Sequence, residues 1–210
     1  EPAPAVVEAE PVPPEPEPEP LSPEQAAQKA AEAKNWVFVK ELLTPLIAQR
    51  NGVDLAEILR RLALAERHLG NRNQAERYLL QSITLWSQEY GENHPELADS
   101  MGDLAEVSFE MGKLEQAEGL LRRATEIQVR LHGTDHVSMI PWLLRLGRIY
   151  LPFKAANALA PLQRAANLAQ NRLGATDPVQ ADILWSLAQA HEQARDLDEA
   201  IVCLRRRLAF

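Results

Sequence analysis

The chain has 210 residues, 46% hydrophobic and 25% charged, the balance of an ordinary soluble globular protein with length enough for a core. Its net charge of −8 is uneven, because residues 1–20 contribute −6 and the remaining 190 are close to neutral at −2. A near-neutral body argues against nucleic-acid binding and against electrostatic docking on anionic lipid, and no window reaches the roughly 18 continuous apolar residues of a membrane span.

The chain opens on EPAPAVVEAEPVPPEPEPEP, with eight of the fifteen prolines, six glutamates and no basic residue. Proline fixes φ and lacks the amide hydrogen, and the glutamates repel one another, so residues 1–21 are expected to be a disordered acidic Pro/Glu linker. As a polyproline-II-like spacer its twenty residues reach about 60 Å. A passive linker is one reading; a recognition tail that docks in a groove is the other. A start at Glu1 rather than Met implies that an upstream segment has been removed. The stretch resembles the spacers that follow the anchors of bacterial envelope proteins of the TonB type. That resemblance implies a periplasmic or membrane-tethered place in a bacterial envelope, with a cytoplasmic location as the alternative. Seventeen arginines against five lysines agree with a GC-rich bacterial source.

From residue 22 the sequence predicts helix after helix. SPEQ at 22–25 has the form of a capping box, and NRNQ at 71–74, DPVQ at 177–180 and DLDE at 196–199 are expected to repeat that chemistry. Apolar residues recur three and four apart, as in Leu114, Ala117, Leu121, Ala124 and Ile127, and no segment alternates with period two. The predicted class is all-α. Residues 22–52 read as a degenerate N-terminal helical hairpin, a cap, with Pro45 predicting a kink or break in its second helix.

Residues 53–210 repeat. A shift of 42 lays GNRNQAERYLLQS (70–82) on GKLEQAEGLLRRA (112–124), Leu62-Ala63 on Leu104-Ala105, and Gly91 on Gly133. Further shifts of about 41 reach Ala158, Ala165 and Gly174, then Leu187-Ala188 and Ala200. Four copies, 54–94, 95–136, 137–177 and 178–210, predict a solenoid of helical hairpins. Ala63, Ala75, Ala105, Ala117, Ala188 and Ala200 fall where paired helices cross closely, while Leu62, Leu104, Leu146 and Leu187 fill between hairpins. Glycines 70, 91, 112, 133 and 174 mark the turns. The third copy is weaker, with Gly147 in place of alanine and Pro152 and Pro161 as interruptions. At the other end DLDEAIVCLRRRLAF is short for a second helix, which leaves Ile201, Leu204 and Leu208 without a cover. Either the natural chain continues, or that face meets a partner or another copy as a homo-oligomer.

Chemistry is scarce. There is no GxSxG, P-loop, GxGxxG or HExxH pattern, and the single Cys203 excludes an internal disulfide or a CxxC site and reads as a small apolar helix residue. His132 and His136 are four apart, with Asp135 the one nearby further ligand, too few for a metal site. Asp177 stands where His94 and His136 stand in the earlier copies, so these three read as helix starts rather than bases or ligands. No catalytic residue, metal or cofactor is predicted.

LADSMGDLAEVSFEMGKLEQAEGLLRRATEIQVRLHGTDH, with Leu104-Ala105, Gly112, Ala117, Leu121, Ala124 and the Gly-x-x-His linker, resembles a tetratricopeptide repeat of the long, 42-residue, kinesin-light-chain type. The resemblance covers about residues 54–208 and implies a right-handed superhelical solenoid whose first helices line a concave surface. It places Arg60, Arg61, Leu64, Arg67 and His68 there in the first repeat and Asp99, Asp103, Glu106, Phe109 and Glu110 in the second. Leu144, Arg145 and Arg148 follow in the third, and Trp185, Gln189 and Glu192 in the fourth. Such a face alternates basic, acidic and basic before an aromatic, mildly acidic end, which suits a mixed-charge peptide with an apolar anchor at Phe109 or Trp185. The other reading makes these ordinary solvated faces, with Trp185 packed between repeats. The paired asparagines of kinesin-light-chain grooves are replaced by Arg60-Arg61, Gly102-Asp103, Leu144-Arg145 and Trp185-Ser186, and the clamp that holds chaperone C-termini is missing. Neither mode of recognition is expected. The resemblance implies a non-enzymatic scaffold or adaptor that binds a protein or peptide partner and assists assembly of a complex, tethered to the envelope. The alternatives are a structural, homo-oligomerising module and the regulatory part of a larger signalling or enzymatic protein.

Overall fold

The computed structural model describes residues 21–173 and 177–208. The expected linker up to residue 20, the turn glycine Gly174 and the last two residues lie outside them. Among the described residues there are ten α-helices, one 3-10 helix and no strand. They pair as antiparallel hairpins in chain order: α1 Pro23–Glu32 with α2 Trp36–Leu43, α3 Gly52–His68 with α4 Arg72–Tyr90, and α5 Pro95–Glu110 with α6 Leu114–His132. Then come α7 Met139–Tyr150 with α8 Ala155–Arg172 and α9 Pro178–Gln193 with α10 Leu197–Arg207. Each second helix also packs on the first helix of the next hairpin, which is a solenoid.

The crossing and filling residues behave as their periodicity requires. Ala63, Ala75, Ala105 and Ala117 are fully buried, Ala188 and Ala200 nearly so, and Leu62, Leu104 and Leu187 are buried between hairpins, with Leu146 half-buried. One continuous apolar cluster runs from Trp86 through Leu121 and Leu162 to Cys203. Burial pushes the Cys203 thiol above its ordinary pKa, so the residue is packing rather than a nucleophile.

Helix starts are where they were expected, but the side chains divide into two groups. Ser22 accepts the Gln25 N–H while Gln25 reaches back to the Ser22 N–H, a complete capping box. Asp177 accepts the Val179 N–H at 2.9 Å, and His94 Nδ1 accepts the Glu96 N–H at 3.3 Å. His136 accepts the Ser138 N–H at 3.2 Å and so closes the turn before α7, whose N-cap is Ser138. Asn71 and Asp196 do not cap. The Asn71 amide donates to buried Glu66 at 2.7 Å, and the Asp196 carboxylate lies 3.3 Å from His191 Nδ1. At these residues ψ is 57° and 76°, and the side chains are engaged by Glu66 and His191 instead of the first-turn amides.

The prolines also divide. Pro45 ends α2 at Leu43 and opens a 3-10 helix, Thr44–Ala48, so the second helix of the first hairpin is truncated. Pro152 follows the end of α7 in a longer turn. Pro161, expected to interrupt, lies inside an unbroken α8. Its ring removes the hydrogen bond to the carbonyl four residues back, yet the helix continues past it with Ala158, Leu162, Ala165, Leu168 and Ala169 buried. Gly147 has its own reason: a Cβ there would run into the Leu162 side chain, so the leucine occupies the space an alanine methyl would need.

Four of the five hairpin turns use one left-handed residue, the α7–α8 turn being the exception. Gly70 and Gly112 take φ of 84° and 77°, and Lys34 and Arg195 take the same place in the first and last hairpins at 57° and 62°. Between hairpins, Lys113 reaches Glu76 at 2.6 Å and Lys154 reaches Glu118 at 2.8 Å, the same staple one repeat apart.

Candidate binding face

Helices α3, α5, α7 and α9 lie side by side because each is the first of its hairpin, and their inner-facing side chains form one surface. On its N-terminal half the charges meet across hairpins. Arg60 Nε donates to Asp103 at 2.7 Å, and its other nitrogens lie 3.1 Å from Glu96 and 3.6 Å from Asp99. Arg67 donates to Glu106 and, at 2.7 Å, to Glu110, which Arg72 also holds at 3.0 Å. From the other side Arg145 reaches Glu106 at 3.0 Å and Asp103 at 3.6 Å. The predicted alternation of sign is therefore a lattice in which α3, α5 and α7 neutralise one another. Asp103 is its buried centre, with 4% of its side chain exposed. Burial pushes its carboxyl above the ordinary value, and the Arg60 and Arg145 guanidinium groups pull it back. Burial also raises the Asp99 carboxyl, with Arg60 opposing.

Gly102 makes this closeness available. A Cβ at Gly102 would stand 2.8 Å from both the Trp142 ring and the Arg145 guanidinium. The buried Trp142 indole thus lies against the α5 backbone, with the Arg145 guanidinium 5.4 Å from its centre. Sequence reading missed Trp142. The signal available was a glycine at a helix position where the other repeats carry Arg60, Leu144 and Trp185.

The remaining expected residues are distributed as follows. Arg61 pairs with Glu57 at 2.8 Å and points its other end to the Glu24 carbonyl. His68 stacks on Trp36 of the N-terminal hairpin with ring centres 4.0 Å apart. Phe109 packs half-buried against the main core, and Leu144 is buried. On the C-terminal half the surface is open. Arg148 and Asp182 make a 3.6 Å, largely solvated pair, and Gln189 is half-buried. Trp185 is 41% exposed, with the Arg207 guanidinium 4.7 Å from its ring centre. It stands at the register position of Leu144, which is buried where a following hairpin covers it.

Among the described residues no group of three or more His, Cys, Asp or Glu is placed to hold a metal ion, and no helix is long and apolar enough to cross a membrane.

Comparison with known proteins agrees with the architecture. The tetratricopeptide-repeat family model matches residues 54–128, the two hairpins with the most regular spacing. No curated protein sequence matches the chain. Among solved structures, BtubC (BKLC) from P. vanneervenii superposes with a TM-score of 0.78 at 20% identity, over 89% of this chain and 77% of that one. A putative kinesin light chain from Podosopora anserina, with nearly identical TPR-like repeats, gives a TM-score of 0.77 at 21% identity over 90% and 92%. A chain of the APC/C hetero-tetramer Cut9-Hcn1 gives 0.67 at 19% identity, over 87% of this chain and 32% of that one. At these identities the structures establish the fold, a right-handed superhelix of hairpins. Residues 54–128 match as tetratricopeptide repeats, and the described chain has the fold of a solenoid of long, kinesin-light-chain-like repeats; such repeats support a protein-interaction scaffold and are typically non-enzymatic.

Proposed function

We propose that the chain binds a protein or peptide partner on its concave face, with the anchoring site on the C-terminal half around Trp185. The observation that carries this is the contrast between the two halves. Arg60, Arg67, Asp103, Glu106 and Arg145 are bound to one another, and opening their lattice for a ligand would leave buried Asp103 unpaired. Trp185 is a large exposed aromatic, and nearby Arg148 makes a solvated pair with Asp182, worth little and easily exchanged for a ligand's charges, and a long 3.4 Å hydrogen bond to Ser186. The favoured ligand is therefore an extended segment with one apolar or aromatic anchor and mixed charge. The Pro/Glu composition of residues 1–20 supports a tether that holds this scaffold at a bacterial envelope, where it assists assembly of a complex. A photo-crosslinking side chain at Gln189 tests the face: it should capture a partner that the same group at Gln163, on a second helix, does not. Equal capture at both positions contradicts the reading. Fractionation of the full-length natural protein tests the tether, which predicts recovery with membranes and loss to the soluble fraction when residues 1–20 and everything upstream are removed.

A further inference from the structure

An apolar groove of about 490 Å³ lies on the opposite side of the solenoid, walled by Ile47, Leu55, Leu59, Leu80 and Leu85. It exists because the first hairpin is incomplete. Its second helix and the 3-10 turn span residues 36–48, thirteen residues against nineteen in α4. The missing six residues are about 9 Å of helix. One repeat later the counterparts of Leu55 and Leu59 are Leu97 and Met101, both buried in the cluster that contains Trp86 of the full-length α4. The position 42 before Trp86 holds Thr44, in the 3-10 turn.

The rim shows the same difference. Leu80 is 46% exposed, whereas the corresponding residues of the next two repeats are Arg122 and Gln163. Gln81 and Thr84 are likewise followed by Arg123 and Glu126. The wall is thus apolar where a helix is missing and polar where the helix is present.

We propose that this groove receives helix α10 of a second copy of the chain. That helix presents Leu197, Ile201, Leu204 and Leu208, spaced four, three and four apart and all exposed among the described residues, a stripe of about 16 Å that fills the gap and extends onto both its ends. The charges match in one direction. The antiparallel α3–α4 hairpin puts Asp54 and Glu89 at one end of the groove and Arg77 at the other. Helix α10 carries Asp198 and Glu199 in its first turn and Arg205 and Arg206 in its last. None of these seven side chains is ion-paired among the described residues. Laid parallel to α4, the direction of the helix it replaces, α10 sets its acidic start on Arg77 and its basic end on Asp54 and Glu89. The acidic residues 1–20 have the opposite complementarity at the nearer, acidic end, which disfavours the chain's own N-terminal segment as occupant. A chain's own α10 lies three hairpins along the solenoid, so the helix comes from another copy. The contact is heterologous, groove to helix, and each added copy leaves one groove and one helix free.

The test is sedimentation or light scattering of the full chain as a function of concentration. The patch is smaller than a standard interface, so assembly belongs in the micromolar to millimolar range. The expected result is a mean mass that rises with concentration and falls again at high salt. Leu80→Arg and Ile201→Glu, both at exposed positions outside the core, should each give monomer, with unchanged circular dichroism. Mixed together they should give a dimer and nothing larger, because the helix of the first still fits the groove of the second. A wild type that stays monomeric to about 1 mM overturns the proposal. So does a Leu80→Arg protein that assembles like wild type, or a mixture that stays monomeric.

Discussion

Asp103 sits with its carboxylate between Arg60 of one hairpin and Arg145 of another. Replacing it by Ala removes the acceptor and leaves two guanidinium groups facing each other, a loss of about 3 kcal/mol measurable by urea unfolding. Two glycines make a sharper pair. Gly119 lies exposed within α6 with nothing within 4 Å of an added Cβ, so Gly119→Ala should stabilise by about 1 kcal/mol. The same change at Gly147 gains that helix propensity but drives a methyl into fully buried Leu162, and should cost about 1–3 kcal/mol net. Thermal unfolding of both variants checks the opposite signs. Glu118 supplies the pH dependence. Hydrogen bonds from Lys154 and Tyr150 hold its carboxyl below the ordinary 4.5, against a smaller opposing effect of burial. A depressed acid contributes stability above its unfolded value and loses it as pH falls through the folded one. Glu118→Gln should therefore differ from wild type above about pH 4.5 and converge with it at lower pH. At this scale the signs of the inner-face residues are legible in the sequence. That Arg67 and Arg145 converge on Glu106 is not, because it depends on the spacing of neighbouring helices.

At the scale of elements, the hairpin starts follow from turn chemistry, while the work of each cap residue depends on what stands behind it. Asp177 bonds the Val179 amide, so Asp177→Ala should cost about 1 kcal/mol. Asp196 stands at the same kind of position but turns to the largely buried His191, and Asp196→Ala, which removes a half-exposed pair and no cap, should cost less, about 0.5 kcal/mol. Equal losses in a denaturation series would show that the two residues do the same job. Pro45 and Pro161 give the same lesson. Both stand among buried apolar residues, Val39, Leu43 and Leu46 around Pro45 and Ala158, Leu162 and Ala165 around Pro161, yet only Pro45 ends its helix. The truncation at Pro45 was legible as a break; the groove it opens was not, since that requires knowing that Leu55, Leu59 and Leu80 face the gap.

For the whole molecule the 42-residue spacing was enough to specify a stacked solenoid, because each hairpin buries its faces only against its neighbours. What spacing could not resolve was the division of the inner face into a closed lattice under α3, α5 and α7 and an open end at α9. The same residue types occur in both halves, and only the distances separate them. That division makes Trp185 the expected anchor for a partner. The most direct measurement is the affinity of the partner captured through Gln189 for wild type and for Trp185→Ala, by titration calorimetry. Loss of an anchoring aromatic should weaken binding by about 2 kcal/mol or more, roughly thirtyfold, with the fold unchanged. An affinity within about twofold of wild type would contradict an anchor at Trp185 and with it the claim that the C-terminal half of the concave face is the binding site.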